Sequence, residues 1–222
     1  EDALRALVDG RDTFAVLPTG YGKSLLYQTR ALMLERPTVV VSPLIALMSD
    51  QENAMRRRGL PVIRLDSTLR VDERRSALEG LVRGAKLVVL TTPETLESSH
   101  TGDHIAAARP ALLCIDEGHC ISEWGHDFRP AYLRLGLQRE RLGGPQILAL
   151  TATATPRVRD DVVARLAMRD PALIIAPPHR ANLRFAAQIL RGGAKLMVAG
   201  RLLRRLQRPG IVYCATTVEV DR

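Results

Sequence analysis

Two short stretches carry most of the chemistry this sequence offers. The first is Leu17-Pro18-Thr19-Gly20-Tyr21-Gly22-Lys23-Ser24, and the second is Asp116-Glu117. In the first, Gly20 and Gly22 let the backbone curl so that successive N–H groups point at one anion. A helix beginning at Lys23 adds its positive end to the same point. Lys23 supplies a charge for β- and γ-phosphates, and Ser24 a hydroxyl for Mg²⁺. Pro18, Thr19 and Tyr21 complete the candidate phosphate-binding loop. The pattern G-x-x-x-x-G-K-[ST] is matched except at its first glycine, which is Leu17 here. Taken alone, the stretch also fits a glycine turn that starts a structural helix. Asp116-Glu117 follows the apolar run Ala111-Leu112-Leu113-Cys114-Ile115. Asp116 is suited to hold Mg²⁺, and Glu117 to orient or deprotonate an attacking water. The bland alternative, a solvated acidic loop, weakens because a Lys-Ser loop lies upstream.

These groups need elements to position them. The run Thr13-Phe14-Ala15-Val16-Leu17 predicts a strand before the loop, and Leu25, Leu26, Gln28, Ala31 and Leu32 predict a helix after it. Residues 1–9 read as a helix stopped by Gly10. Further strands are predicted over 38–42, 62–65, 86–91, 111–115 and 146–150, with an extended stretch over 172–176. Helices are predicted over 44–58, 71–83 and 156–167, and Pro93 opens a short one. Strands that are apolar end to end, alternating with helices, predict an α/β fold with a parallel sheet and helices on both faces. Ligands of such sheets bind beyond the carboxyl ends of the strands. Lys23, Ser42, Asp116 and Thr151 all follow predicted strand ends, so one rim can collect them.

Pro177-Pro178 reads as an interdomain linker, giving a first domain over 1–177 and an incomplete second over 178–222. In the second, 183–190 and 210–214 read as strands. Residues 195–207 read as a basic helix with Leu202, Leu203 and Leu206 inward. This piece is short beside the first domain, so the sequence reads as part of a longer protein.

An apolar content of 46% in 222 residues supports a full core. No run is long enough to span a membrane, and no signal peptide opens the sequence. Cys114, Cys120 and Cys214 lie in or beside apolar runs, with no Cys-x-x-Cys, and are expected to be buried thiols of a reducing compartment. The net charge is +8, but residues 171–222 hold eight Arg and Lys195 against Glu219 and Asp221. The first domain is therefore nearly neutral, and a nucleic-acid role there must rest on particular residues. Most of the arginine excess fits a GC-rich genome equally well.

Those particular residues follow Asp116. The stretch Asp116-Glu117-Gly118-His119-Cys120-Ile121-Ser122-Glu123-Trp124-Gly125-His126-Asp127-Phe128-Arg129-Pro130 resembles motif II and the adjoining aromatic-rich loop of RecQ-family DNA helicases. Residues 40–51, containing Ser42, Pro43, Leu44 and Gln51, resemble motif Ia. Ala149-Leu150-Thr151-Ala152-Thr153-Ala154 resembles motif III. Arg180-Ala181-Asn182-Leu183-Arg184 is similar to the entry into the second domain, and Ile211-Val212-Tyr213-Cys214 to motif IV. The resemblance covers nearly the whole chain in the right order.

The resemblance implies a superfamily 2 core of two RecA-like domains, the second cut short here. It implies ATP and Mg²⁺ as cofactors, with single-stranded and forked or tailed duplex DNA as partners. The implied activity is 3′→5′ translocation in repair or recombination, by a bacterial, nucleoid-associated cytoplasmic monomer. Lys23, Asp116, Glu117 and His119 are the implied catalytic group, with His119 bridging to motif III. Ser42, Pro43, Leu44, Gln51, Trp124, His126, Phe128, Arg129, Thr151 and Thr153 are the implied DNA-binding and coupling residues. The residue types agree independently: Trp and Phe faces stack unpaired bases, and Arg grips phosphate. As core aromatics, Trp124 and Phe128 would not be expected among so many polar and glycine neighbours. His119 and His126 as metal ligands lack a third ligand of suitable spacing. The sequence departs from the family at Gly118, where alanine is usual, and at Tyr21, where glycine is common and a positive φ would strain a tyrosine. The family's upstream glutamine motif, motifs V and VI with their arginine fingers, and the zinc-binding and winged-helix module are outside the sequence. Two rivals stand: an RNA helicase or non-unwinding duplex translocase of the same fold, and an ATP-binding regulatory module with little turnover.

Overall fold

The computed structural model describes residues 1–83, 87–125, 127–177, 182–190, 194–205 and 209–216. The chain divides into two units, Glu1–Pro178 and His179–Arg222.

The first unit alternates helices and strands in chain order. They are α1 (Asp2–Val8), β1 (Thr13–Val16), α2 (Lys23–Met33), β2 (Thr38–Val41), α3 (Ile45–Arg57), β3 (Val62–Leu65) and α4 (Val71–Arg83). Then come β4 (Val88–Thr91), α5 (Pro93–Glu97), α6 (Ser99–Ala107), β5 (Leu112–Ile115), α7 (Leu135–Arg141), β6 (Gln146–Thr151), α8 (Pro156–Arg165) and β7 (Ala172–Ile175). Two short 3₁₀ turns, Gly118–Ile121 and Pro130–Arg134, follow β5. The strands form a seven-stranded sheet in the order β3-β4-β2-β5-β6-β1-β7, and every neighbouring pair is parallel. Central strands such as Thr38–Val41 and Leu112–Ile115 are buried at every residue, as expected for a sheet covered on both faces.

Alternation along the strands builds two cores. Phe14, Val39, Leu113 and Ile147 face Leu78 and Leu81 of α4, Leu96 of α5, Ile105 of α6 and Val162 of α8. Ala15, Val40, Cys114 and Leu148 face Leu7 of α1, Tyr27 of α2 and Met48 and Met55 of α3. Helices α6 and α7 are not evident in the sequence pattern. Helix α6 reads Ser-His-Thr-Gly-Asp-His-Ile-Ala-Ala, a weak helix former. It is fixed by the Ser98 side chain, which accepts the Thr101 N–H, and by the complete burial of Ile105.

At the amino edge of the sheet, Asp12 is a fully satisfied buried carboxylate. It accepts the N–H groups of Ile147 (2.8 Å) and Arg169 (3.0 Å) and both oxygens meet the Arg139 guanidinium (3.1 and 2.9 Å). This joins β1, α7, β6 and the approach to β7 at one point.

In the second unit the expected strands are absent. Residues 183–190 and 210–214 form no ladder, and Phe185, Ile189, Ile211 and Tyr213 are exposed. A strand needs a paired neighbour and a covered face, and an isolated pair seldom supplies both. Helix α9 (Ala194–Arg205) forms as expected, but none of its residues is buried, so Leu202 and Leu203 do not face a core. Leu206, Arg180 and Ala181 lie outside the described residues. Cys214 is exposed, contrary to expectation, whereas Cys114 and Cys120 are buried free thiols. No helix among the described residues is long and apolar enough to cross a membrane.

Replacing Asp12 by Ala removes the carboxylate from Arg139 Nη2 and leaves two backbone donors unpaired in a buried setting, while Arg139 keeps the Pro145 and Ala167 carbonyls. Urea denaturation should show a loss of about 3–5 kcal/mol. Asp12→Asn, which keeps one acceptor oxygen, should fall between. An unchanged midpoint in Asp12→Ala would remove this junction from the account of stability.

Candidate functional site

The carboxyl rim gathers its groups from β1, β5 and β6, which are neighbours in the order β5-β6-β1. Leu17 extends the ladder beyond β1 by donating its N–H to Thr151 O at 2.9 Å. The chain then turns through Gly20 (φ 87°) and Gly22 (φ 78°), and α2 starts at Lys23. Both glycines occupy the left-handed region, where a side chain is strained. Tyr21 does not, so it carries none of the strain its replacement of glycine suggested. It is exposed, as are Thr19 and Gly20, while Pro18 is buried. Lys23 Nζ donates to the Leu17 carbonyl at 3.2 Å, folding its charge back over the loop. Ser24 is half-buried in the first turn of α2.

Asp116 leaves β5 with its N–H bonded to Val41 O at 2.9 Å. Its carbonyl accepts the Tyr132 hydroxyl at 3.2 Å, and its carboxylate accepts the Glu117 N–H at 3.1 Å. Burial, reinforced by the Glu117 charge, pushes its carboxyl up to about 6; Lys23 and His119 oppose this. Glu117 has φ 49° and ψ 46°, an uncommon conformation for a non-glycine residue. It turns the chain off the strand and brings its carboxylate to 3.3 Å from His119 Nδ1. An alanine Cβ at Gly118 would meet ordinary contacts, Leu150 O at 3.5 Å and Ala149 Cβ at 3.6 Å. The departure at this position is therefore sterically neutral.

His119 is buried and its Nδ1 lies 2.8 Å from Thr151 Oγ1. The Thr151 hydroxyl donates to Thr153 O at 3.0 Å, and its oxygen accepts the Thr153 N–H at 3.3 Å. The rim thus runs without a break from the glycine loop through Thr151 to His119 and Glu117.

The aromatic segment hangs from this rim. Trp124 is 57% exposed, and its ring is covered on one face by the Arg157 guanidinium, 3.2 Å from the ring centroid. Gly125 folds against the His119 turn; a Cβ there would sit 2.5 Å from His119 O and 3.0 Å from Ser122 O. Arg129 pairs with Asp127 at 3.2 Å and donates to Pro43 O at 3.2 Å, tying the segment to the turn after β2. Phe128 is half-buried. His126 lies outside the described residues. Of the remaining candidates, Leu44 and Thr153 are exposed and Pro43 and Gln51 are half-buried. Ser42 and Thr151 are fully buried, so as placed they can position neighbours but cannot touch a nucleic acid. Sequence reading missed Arg157 and Tyr132, which reach the site through space and carry no motif.

Residues 1–162 match the DEAD/DEAH box helicase family. The chain belongs to that family. Among curated relatives it is 40% identical over 218 residues to the probable ATP-dependent DNA helicase RecS of Bacillus subtilis, covering 97% of this chain and 44% of that protein. It is 40% identical to the ATP-dependent DNA helicase RecQ of the same organism, covering all of this chain and 38% of the relative. Identity to the ATP-dependent DNA helicase Q5 of Rattus norvegicus is 44%, over 85% of this chain and 20% of the relative. The chain therefore spans less than half the length of each. Among solved structures, the DUF1998 helicase MrfA superposes with a TM-score of 0.74 over 99% of this chain and 36% of its own, at 18% identity. The Mycobacterium smegmatis helicase Lhr, solved with ssDNA and AMP-PNP, gives 0.59 at 25% identity over 79% of this chain and 25% of its own. Helicase neighbours of this kind agree with the α/β, RecA-like fold of the first unit.

A carboxyl that is easier to protonate when folded than unfolded stabilises the fold only at low pH. For Asp116 that contribution is full below about pH 4 and is lost as pH rises to about 6. In metal-free buffer, Asp116→Asn should match the parent near pH 4 and exceed it by about 2–3 kcal/mol at pH 7.5. Urea unfolding at both pH values measures this, and a difference independent of pH would contradict it.

Proposed function

We propose that this chain is the ATP-binding portion of a RecQ-type DNA helicase, which couples ATP hydrolysis to 3′→5′ movement on single-stranded DNA. The observation that carries this reading is the continuous rim from the glycine loop through Thr151 and His119 to Asp116-Glu117, with the aromatic segment attached to it. The relatives' names, and the Lhr neighbour solved with ssDNA and a nucleotide analogue, support it.

The residues present fit a magnesium nucleotide. Left-handed Gly20 and Gly22 open a cradle that side chains would strain, and α2 presents its amino end there. Ser24 and Asp116 are the oxygen donors for Mg²⁺, a hard cation suited to them. The buried Asp116 carboxyl, costly to ionise alone, gains most from a divalent neighbour. When bound, Mg²⁺ neutralises charge on the β- and γ-phosphate oxygens. Lys23 leaves the Leu17 carbonyl to meet those phosphates. Glu117 orients the attacking water and takes its proton, with His119 Nδ1 fixing the carboxylate. His119 and Thr151 then relay the state of the nucleotide to Thr153, while Trp124, Phe128 and Arg129 engage unstacked bases and phosphate. The buried Ser42 supports the turn at Pro43. Residues 178–222 begin a second RecA-like domain in this reading, and the protein works in the bacterial cytoplasm on tailed or forked duplexes.

In the complete protein, Lys23→Ala should lower DNA-stimulated ATP turnover by about 10²–10³-fold with the fold intact by circular dichroism. Turnover equal to the parent would remove the assignment.

Trp124→Ala should raise the half-saturating concentration of single-stranded DNA about tenfold in the same ATPase assay, the loss of one stacking platform. RNA, single-stranded DNA and duplex should be compared as activators. Stimulation by RNA equal to that by DNA would favour the RNA-helicase rival.

A further inference from the structure

Next to the rim, three ligand-bearing side chains meet that the proposed hydrolysis does not use as a set. The ligand atoms of His119, Cys120 and Asp127 all lie within 4.8 Å of one another. Cys120 Sγ is 3.8 Å from His119 Nε2 and 3.7 Å from an Asp127 carboxylate oxygen. A tetrahedral zinc ion, with Zn–S near ~2.3 Å and Zn–N or Zn–O near ~2.1 Å, holds such atoms about 3.6 Å apart. Two of the three edges are therefore at coordination spacing already. The third spans His119 and Asp127, and Asp127 is exposed, so a turn of its side chain closes it.

The contacts around His119 set which ring nitrogen faces the sulfur. Thr151 has one hydroxyl proton, which goes to Thr153 O. Toward His119 Nδ1 the threonine oxygen is therefore an acceptor, and so is the Glu117 carboxylate. With Nδ1 turned to these two acceptors, Nε2 is the ring nitrogen on the Cys120 side. Metal-binding histidines are held in this manner, one nitrogen anchored by a carboxylate or hydroxyl and the other turned to the ion.

We propose that His119 Nε2, Cys120 Sγ and the Asp127 carboxylate form a site for one thiophilic divalent cation, best matched by Zn²⁺, with water as fourth ligand. A sulfur–nitrogen–oxygen set disfavours Mg²⁺, so the site does not draw on the cation of a nucleotide. On binding, the Cys120 S–H bond is replaced by a sulfur–metal bond and the proton leaves to solvent; nothing is oxidised or reduced. The ion takes Asp127 from Arg129, which loses its anchoring partner beside Pro43. It also clamps the aromatic segment to the His119 turn. Zinc is therefore an inhibitor of DNA-stimulated hydrolysis that leaves the nucleotide cradle intact. That consequence rests on the proposed function; the metal site does not.

Cobalt(II) is the probe. The complete protein and its Cys120→Ser variant are dialysed into metal-free buffer and titrated in parallel. The parent should bind one more equivalent than Cys120→Ser, with a thiolate-to-cobalt charge-transfer band and the strong visible absorption of a tetrahedral ion. Added Zn²⁺ should bleach both. Asp127→Asn changes an exposed residue, keeps the fold, and should weaken binding about 10–100-fold. Identical cobalt spectra for the parent and Cys120→Ser would overturn the site, as would undiminished affinity in Asp127→Asn. Micromolar Zn²⁺ should lower DNA-stimulated turnover of the parent at least fivefold, reversibly with chelator, and spare Asp127→Asn relative to its own zinc-free rate. Cobalt binding without inhibition would overturn the regulatory consequence alone. Normal ATPase activity without the cobalt signal would overturn the site and leave the helicase reading standing.

Discussion

Thr151 occupies the one position in the sheet from which both halves of the candidate nucleotide site can be held. It ends β6, which lies between β1 and β5, so its carbonyl faces the glycine loop and its hydroxyl faces the acidic turn. The carbonyl takes the Leu17 N–H and so sets where the loop leaves the sheet. The hydroxyl has a single proton, committed to Thr153, and this leaves only an acceptor for His119. The orientation of the histidine ring follows, and with it the direction of the Glu117 carboxylate. A fully buried threonine that touches neither phosphate nor nucleic acid thus decides the geometry of residues that are suited to do so.

Two of the buried aspartates at the strand ends, Asp12 and Asp116, are compensated to different degrees. At the amino edge, Asp12 receives two backbone N–H groups and one guanidinium nitrogen, Arg139 Nη2, shared by both oxygens, so its burial is compensated inside the fold. At the carboxyl edge, Asp116 receives one backbone N–H and lies beside a second carboxylate. Its raised carboxyl records an unmet need for positive charge. The adjoining Glu117 adds a left-handed backbone that the strand end would not adopt by preference. An under-compensated buried carboxylate beside a left-handed strand end is suited to a preorganised cation and phosphate site.

The sequence was most informative where structure is local. Strand Val62–Leu65 and helix Val71–Arg83 coincide with their sequence patterns, and the central strands Thr38–Val41 and Leu112–Ile115 are apolar or β-branched throughout because parallel strands buried on both faces must be. The glycine loop and Asp116-Glu117 were legible because their neighbours in the chain are also their partners in chemistry. Helices α6 and α7 were not, since capping and tertiary burial stabilise them more than periodicity. The strands expected near Leu183 and Ile211 failed for a related reason: an apolar run states a need for cover but cannot supply the neighbour that satisfies it. Contacts through space were equally hidden. Nothing in the spacing of Cys120 and Asp127, or of Trp124 and Arg157, announces that each pair touches.

The Arg157–Trp124 contact bears on how the aromatic segment would report nucleic acid under the proposed function. One face of the only tryptophan is occupied by a guanidinium on α8, the helix that follows Thr151 and Thr153. An exposed cation–π contact contributes about 0.5–1 kcal/mol, whereas stacking a base contributes about 1–3 kcal/mol. Under the proposed function, a base that stacks on this face would outcompete Arg157, whose guanidinium would then be free to meet a phosphate. Such an exchange would move a residue of α8, while Gly125 lies close against the His119 carbonyl. Under that reading, occupancy at Trp124 would act on both sides of Thr151, at the helix after β6 through Arg157 and at the turn after β5 through Gly125.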